Sequence, residues 1–426
     1  MNKPLHIDMS NAYLHGIHNN DITAIQTRIQ QYVGQGRYQS LPYDCLIAPF
    51  NQQEILFIKQ QAEIQMTKAA YAALVIVGIG GSHVGIQAVQ QLLHGICNQQ
   101  HQPLIYYVDT IDPDRLAAVK MCMVSLYQQK KEVLLIIISK SGSTIETIAN
   151  ASVLLFMMSP QQIAQHVVCI TDQDSGLHQW ALSCNVRTLH IPKAVGGRFS
   201  VFTAVGLFPL ACMGIDITEL CAGACAYDWK QDYAALRAVW FWDAIVHKQI
   251  PIHDLFINTH NAYSLGLWYR QLMAETLGKK KIIESGIRHV GIMPTISVMT
   301  ADLHSLGQLY LAGPQVRLTT FLTVPFMYED FIEHSAICNA TNNHFIVHKK
   351  VTHIAWAIEK GTMQTYVAQK MCFMHIAFAE KSLYAIGQFM FTAMVEIIYT
   401  ALLVGINPFD QPEVELYKKS THDILQ

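Results

Sequence analysis

The feature that most constrains how this 426-residue chain can fold is a recurring handover. An apolar run gives way to a short Gly- and Ser-rich loop, and the loop gives way to a helix-compatible stretch. Runs suited to buried parallel strands stand near 74–77, 104–108, 133–139, 167–171 and 188–191, with candidate helices around 83–94, 114–126, 144–157 and 173–183 between them. A second series follows: strand 254–257, helix 261–277, strand 289–293, helix 305–312, strand 316–324, helix 350–360, strand 371–377 and a closing helix at 380–404. Strand–helix alternation of this kind predicts α/β architecture with doubly wound parallel sheets and right-handed crossovers. The expected division is a peripheral helical segment (1–45), a first α/β/α domain (46–215), a second (216–405) and a C-terminal segment (406–426).

Two of these loops are chemically distinctive. Val77-Gly78-Ile79-Gly80-Gly81-Ser82 follows the first run, and Ser139-Lys140-Ser141-Gly142-Ser143-Thr144-Ile145-Glu146 follows the third. A strand-to-helix turn presents free N–H groups at the positive end of a helix, which suits an anion. Glycine allows close approach of the backbone, and hydroxyls add donors. Two such loops in one βαβ-like stretch point to a phosphate-bearing small molecule. The plainer alternative for each Ser and Thr is helix N-capping, which is compatible with anion binding.

Composition removes several classes of function. Charged residues are 14% and apolar residues 51%, so a large buried core is expected rather than disorder. The net charge of −2 comes without a basic block, giving no sign of a nucleic-acid partner. Lys279-Lys280-Lys281 reads as a solvated helix end. The ten cysteines include no C-x-x-C pair, which fits a reducing cytoplasm, and because Met1-Asn2-Lys3-Pro4 leads into no apolar h-region, no signal peptide is expected. Residues 199–215 form an uncharged stretch of seventeen, but its Ser, Thr, Gly and Pro content suits a buried helix better than a membrane span. No other stretch clearly qualifies as a span.

Nucleotide motifs fail on inspection. G-x-G-x-x-G requires glycine where His83 stands, and Gly278-Lys279 is followed by Lys280 where a P-loop needs Ser or Thr. No H-E-x-x-H or other metal-ligand spacing occurs among the 20 dispersed histidines, so no metal or organic cofactor is expected.

Six segments, in order, resemble the glucose-6-phosphate isomerase (phosphoglucose isomerase) family in its shorter bacterial form. They are GIGGSHVG at 78–85, SKSGSTIET at 139–147, GGRFSVFTAVGLFP at 196–209, QLMAETLGK at 271–279, TADLHSLGQLYLAG at 300–313 and NPFDQPEVELYK at 407–418. The resemblance implies two sugar-isomerase (SIS) domains and an aldose–ketose isomerisation of hexose 6-phosphates without a cofactor. It also implies a homodimer in which one active-site histidine crosses the subunit interface.

Such a reaction must open a ring and move a proton between C2 and C1. It needs a positioned base and a donor for the enediolate oxygen. By resemblance, Glu275 is the base, Arg198 the enediolate stabiliser, His304 the ring-opening acid–base and Lys418 its assistant at the ring oxygen. Gly81, Ser82, Ser139, Lys140, Ser141 and Thr144 correspond to phosphate-binding positions, and Glu146, Gly197, Gln271 and Gln411 to positions near the sugar. Read without the resemblance, Glu275 would be an exposed helical carboxylate paired with Lys279 at i+4. Asp302 and Ser305 flank His304 and are candidates to orient it. One departure stands out: Glu413 occupies a position where the family has glycine, adding a carboxylate near Gln411 and Lys418. The alternative is a non-catalytic sugar-phosphate sensor, which needs the loops but not Glu275, Arg198, His304 and Lys418 together.

Overall fold

The computed structural model of the chain describes residues 4–12, 19–34, 38, 40–96, 103–284 and 286–426. Parts of the expected peripheral segment, including the opening Met1-Asn2-Lys3, lie outside the described residues. Twelve strands are described: β1 (Leu5–Asp8), β2 (Tyr71–Val77), β3 (Leu104–Val108), β4 (Glu132–Ser139), β5 (Val167–Thr171) and β6 (Arg187–His190), then β7 (Ile252–Ile257), β8 (Lys279–Ile283), β9 (Gly286–Val290), β10 (Met293–Val298), β11 (Arg317–Thr323) and β12 (Phe373–Phe378).

The first sheet has the order β3-β2-β4-β5-β6 and is parallel throughout. Every residue of β2 is buried, as is β4 beyond Glu132, because helices cover both faces. The chain moves from β2 outward to β3 and then crosses back to β4, so the winding direction reverses between β2 and β4. Ligands bind at such switch points, beyond the carboxyl ends of the strands. The two hydroxyl loops are the segments that leave β2 and β4 there.

The second sheet, β10-β7-β11-β12 with β1 added at the edge, repeats this winding. Its fifth strand is antiparallel and comes from the far N-terminus, pairing Leu5 with Phe378 and Asp8 with His375. The segment expected to be peripheral helix and loop therefore also supplies a strand. Only four residues pair, alternating in burial, too short a run to stand out against polar neighbours.

Two further expectations shift. The expected strand at 289–293 is instead the antiparallel hairpin β8–β9 followed by β10. Lys279–Lys281 lie in this hairpin, since the preceding helix (Tyr263–Leu277) stops at Gly278. The apolar stretch after Arg198 is not one helix. It forms a 3₁₀ segment (Gly197–Phe202) and a helix (Ala204–Cys212), separated by Thr203, whose hydroxyl caps the Val205 N–H.

Among the described residues, the helix long and apolar enough to cross a membrane is Leu383–Val404, which the sequence reading passed over. Its most apolar window is 83% buried inside the protein. It packs on the helices Ile217–Cys225 and Tyr233–Asp243. Its Glu396, fully enclosed, pairs with the equally buried Arg237 and accepts the Tyr269 hydroxyl at 2.7 Å. An enclosed ion pair and all-round packing mark a core helix.

Candidate active site

The centre of the site is Arg198, 2% exposed at the start of the 3₁₀ segment. A guanidinium carries five N–H donors, and here all five are engaged. Nε donates to Thr276 Oγ1 at 2.9 Å. Nη1 donates to Glu275 Oε2 at 3.1 Å and to Gln411 Oε1. Nη2 donates to the carbonyls of Pro408 at 2.6 Å and Asp410 at 3.1 Å. Burial pulls its pKa down from the ordinary guanidinium value, and the facing Glu275 carboxylate pushes it back up. A buried cation with every donor satisfied joins the helix Tyr263–Leu277 to the 407–411 loop.

Glu275 is held from two sides. Oε2 accepts from Arg198, while Oε1 accepts from Gln271 Nε2 at 2.8 Å one helical turn earlier. Its side chain remains 30% exposed, so the carboxylate has an open face. The Glu275–Lys279 side-chain pair of the plainer alternative does not form. Lys279 Nζ turns back to the Glu275 carbonyl at 3.0 Å and to Asp410.

The first hydroxyl loop meets this cluster through glycine. A methyl group on Gly81 would lie 2.1 Å from the Gly197 carbonyl carbon, so only glycine permits the loop to touch the backbone beside Arg198. Ser200 Oγ donates to the Gly197 carbonyl at 2.7 Å and stands 3.3 Å from the Gly81 carbonyl. A methyl group on Gly80 would stand 3.0 Å from Gln271 Nε2. Ser82 is half-buried at the end of the short 3₁₀ turn Gly80–Ser82 and caps nothing.

In the second loop the hydroxyls converge. Ser139 Oγ and Thr144 Oγ1 are 3.0 Å apart, and Ser141 Oγ is 3.4 Å from Thr144 Oγ1. Thr144 occupies the N-cap position of the helix Ile145–Leu155, yet its side chain makes no capping bond. The hydroxyls thus face one another at the positive end of an eleven-residue helix, and the capping alternative is not realised. Gly142, with φ +65°, closes the turn against Ser175. Glu146 is half-buried in the first turn of that helix.

Other expected residues stand elsewhere. Lys140 Nζ donates to the Lys193 and Val195 carbonyls at 2.7 and 2.9 Å, tying the second loop to the segment entering Gly196 and Gly197, and burial lowers its pKa. His304 is exposed on the short helix Ala301–Ser305 after β10, with no hydrogen bond to a described residue. Asp302 does not orient it: that carboxylate accepts from the Val298 N–H at 2.6 Å and from Ser305 Oγ at 2.9 Å. Lys418 is exposed on the helix Val414–Leu425 and pairs with Glu415 at 2.7 Å. The structure therefore gathers Gly81, Gly197, Arg198, Gln271, Glu275 and Gln411, sets the Ser139–Thr144 loop beside them through Lys140, and leaves His304 and Lys418 outside this cluster.

Thr276, Asp410 and Lys279 also belong to the cluster; all three lie within the quoted segments, but sequence reasoning assigns Thr276 and Asp410 no role and reads Lys279 as part of a solvated helix end. The three lysines 279–281 are tethers rather than a solvated end: Lys280 pairs with Glu413 at 2.8 Å, and Lys281 Nζ donates to the Val404 carbonyl at 2.6 Å.

Twin doubly wound sheets, with hydroxyl loops at one switch point and a carboxylate–guanidinium pair beside them, make this a doubly wound α/β protein with a candidate active site at that switch point. The family model described as phosphoglucose isomerase matches residues 58–274. The chain is 30% identical over 378 residues to the glucose-6-phosphate isomerase of Heliobacterium modesticaldum, covering 84% of this chain and 81% of that one. A crystal structure of a hypothetical protein from Thermus thermophilus superposes with a TM-score of 0.80 at 23% identity over 99% of both chains. The crystal structure of a glucose-6-phosphate isomerase from Chlamydia trachomatis gives 0.74 at 21% identity, covering 94% of this chain and 78% of that one. The chain belongs to the phosphoglucose isomerase family.

Proposed function

We propose that this protein interconverts glucose 6-phosphate and fructose 6-phosphate, by ring opening and proton transfer through an enediol(ate). The observation that carries this reading is the Glu275 carboxylate, fixed between Gln271 and the buried Arg198 with one face open. A sugar-phosphate sensor has no use for such a pair, whereas proton abstraction next to a carbonyl requires one.

In this reading the Ser139, Ser141 and Thr144 hydroxyls, with Ser82 and the N–H groups of the Ile145–Leu155 helix, hold the phosphate. Lys140 acts by holding the second loop against the segment before Gly197, and it supplies positive charge nearby. Glu275 takes the proton from C2 and returns it to C1, since one carboxylate can reach both carbons of an enediolate. Arg198 stabilises the developing oxyanion. Because all five of its donors are engaged, one must be exchanged for the substrate oxygen, and the Gln411 amide is the neutral partner most easily replaced. Ring opening falls to His304 and Lys418. The exposed state of His304, without a partner among the described residues, supports its delivery from a second copy of the chain, with the protein working as a homodimer. Lys418 reaches the sugar by a shift of the Val414–Leu425 helix, which buries none of its residues.

The reaction belongs to glycolysis and gluconeogenesis, and we place the protein in the cytoplasm on that basis. We keep the division at 45/46, 215/216 and 405/406 as the working domain boundaries. Purified protein supplied with fructose 6-phosphate, with glucose 6-phosphate detected by a coupled dehydrogenase, tests the reading. Turnover supports it, and sugar-phosphate binding without turnover favours the sensor.

A further inference from the structure

Lys279 occupies a position that the mechanism above does not use. Its side chain is only 7% exposed although it is a lysine at the edge of a hairpin. Burying an ammonium is costly unless it is paired, and long cationic side chains seldom accept it without a specific partner. The ammonium donates to the Glu275 carbonyl at 3.0 Å and to the Asp410 carbonyl, and it pairs with Asp410 Oδ1 at 3.1 Å.

The first acceptor belongs to the last turn of the Tyr263–Leu277 helix, where carbonyls lack intrahelical partners and a cation is favoured. The second also accepts from Arg198 Nη2, so two cations share one carbonyl oxygen. Asp410 is in turn braced by Asn407, whose amide donates to Oδ2 at 3.0 Å, and the next residue is Gln411, which contacts Arg198 directly. One further ion pair, Lys280 to Glu413, fixes the same segment at the root of the helix bearing Lys418.

We propose that Lys279 is a positioning residue for the isomerisation: through Asp410 it holds the 407–411 loop against Arg198 and so sets where the Arg198–Glu275 pair stands. This rests on the isomerase reading above. Lys279 touches neither phosphate loop, so its loss acts on the transition state rather than on substrate anchoring. A displacement near 1 Å at reacting groups lowers rates by up to about 100-fold. Lys279→Met is expected to reduce kcat about 10- to 100-fold with KM within about threefold of wild type, and Lys279→Arg to retain most of the rate. Lys279→Met combined with Gln411→Ala is expected to fall little further than the worse single variant, because both act through one loop.

Steady-state kinetics on the full-length protein, with circular dichroism to check folding, decides the matter. Wild-type activity with an unchanged kcat in Lys279→Met overturns the proposal, as does a rise in KM alone or a fully multiplicative double variant. A wild-type protein without turnover defeats the isomerase reading instead. If Lys279→Met does not fold, Asp410→Ala carries the same test, with a comparable loss of kcat expected and wild-type kcat contradicting it.

Discussion

Arg198 shows how much one residue can decide. Its motif made it visible in the sequence, but its five partners come from two segments far along the chain, 275–276 and 408–411, and no pattern in the chain reveals that all five donors are taken. The same holds for Lys279 and Asp410, whose roles arise only when residues 131 positions apart meet. Glu275 was legible only through its motif: helical spacing alone pointed to Lys279 at i+4, whereas the side-chain partners are Arg198 and Gln271. Buried His253 offers a prediction at this scale. Full burial, together with the nearby Arg237 charge, pushes its pKa down to about 3, and Nε2 stands 2.9 Å from Thr320 Oγ1. The unfolded chain therefore binds more protons between pH 6.5 and about 3, so stability is fully present above 6.5 and is lost as pH falls through that window. The loss approaches about 5 kcal/mol at its lower limit. Thermal midpoints measured from about pH 7 to about pH 4 should decline, and His253→Asn should flatten the slope; an identical slope contradicts this account.

Elements were legible in proportion to how buried and local they are. The central strands β2, β4 and β5 stand close to where their apolar runs place them, because burial on both faces writes itself as a near-continuous apolar sequence. β1 and the β8–β9 hairpin were lost because short, half-exposed strands carry no such run. The hydroxyl loop after β4 was legible as a loop, its Thr144 side chain makes no capping bond, and the phosphate role remains our proposal. Ser141→Ala with Thr144→Ala should raise KM about tenfold or more while kcat changes little, since each hydrogen bond to a charged group contributes about 1.5–3 kcal/mol. An unchanged KM counts against the loop. For the Leu383–Val404 helix, Glu396→Gln leaves Arg237 buried without its counter-charge. The expected cost is about 3–5 kcal/mol, and a calorimetric midpoint lowered by roughly 3–6 °C would report it. A midpoint within a degree of wild type would show that the pair does not stabilise this helix.

At the scale of the whole molecule, the chain repeats one winding twice but arms only one switch point. The second sheet follows the same strand order as the first, yet the reciprocal bonds of Asn258 with Val324 close its switch point, at 2.9 and 3.0 Å. The two hydroxyl loops of the first sheet were visible in the sequence, but the Asn258–Val324 pairing in the second was not. His304 makes no hydrogen bond to a described residue, and its proposed action across a subunit interface rests on the family resemblance and on that exposure. Mixing Glu275→Gln protein with His304→Ala protein under subunit exchange tests this directly. If His304 acts across the interface, mixed dimers hold one intact site, and activity recovers to about a quarter of wild type. If it acts within its own chain, no activity returns. The central claim remains that Glu275 is the base of an aldose–ketose isomerase. The direct measurement is turnover of fructose 6-phosphate by wild type and by Glu275→Gln, with binding of the sugar phosphate followed in parallel. We predict brisk wild-type turnover and a variant that binds normally but is slowed at least about 1,000-fold. A Glu275→Gln enzyme of near-normal rate would contradict the account.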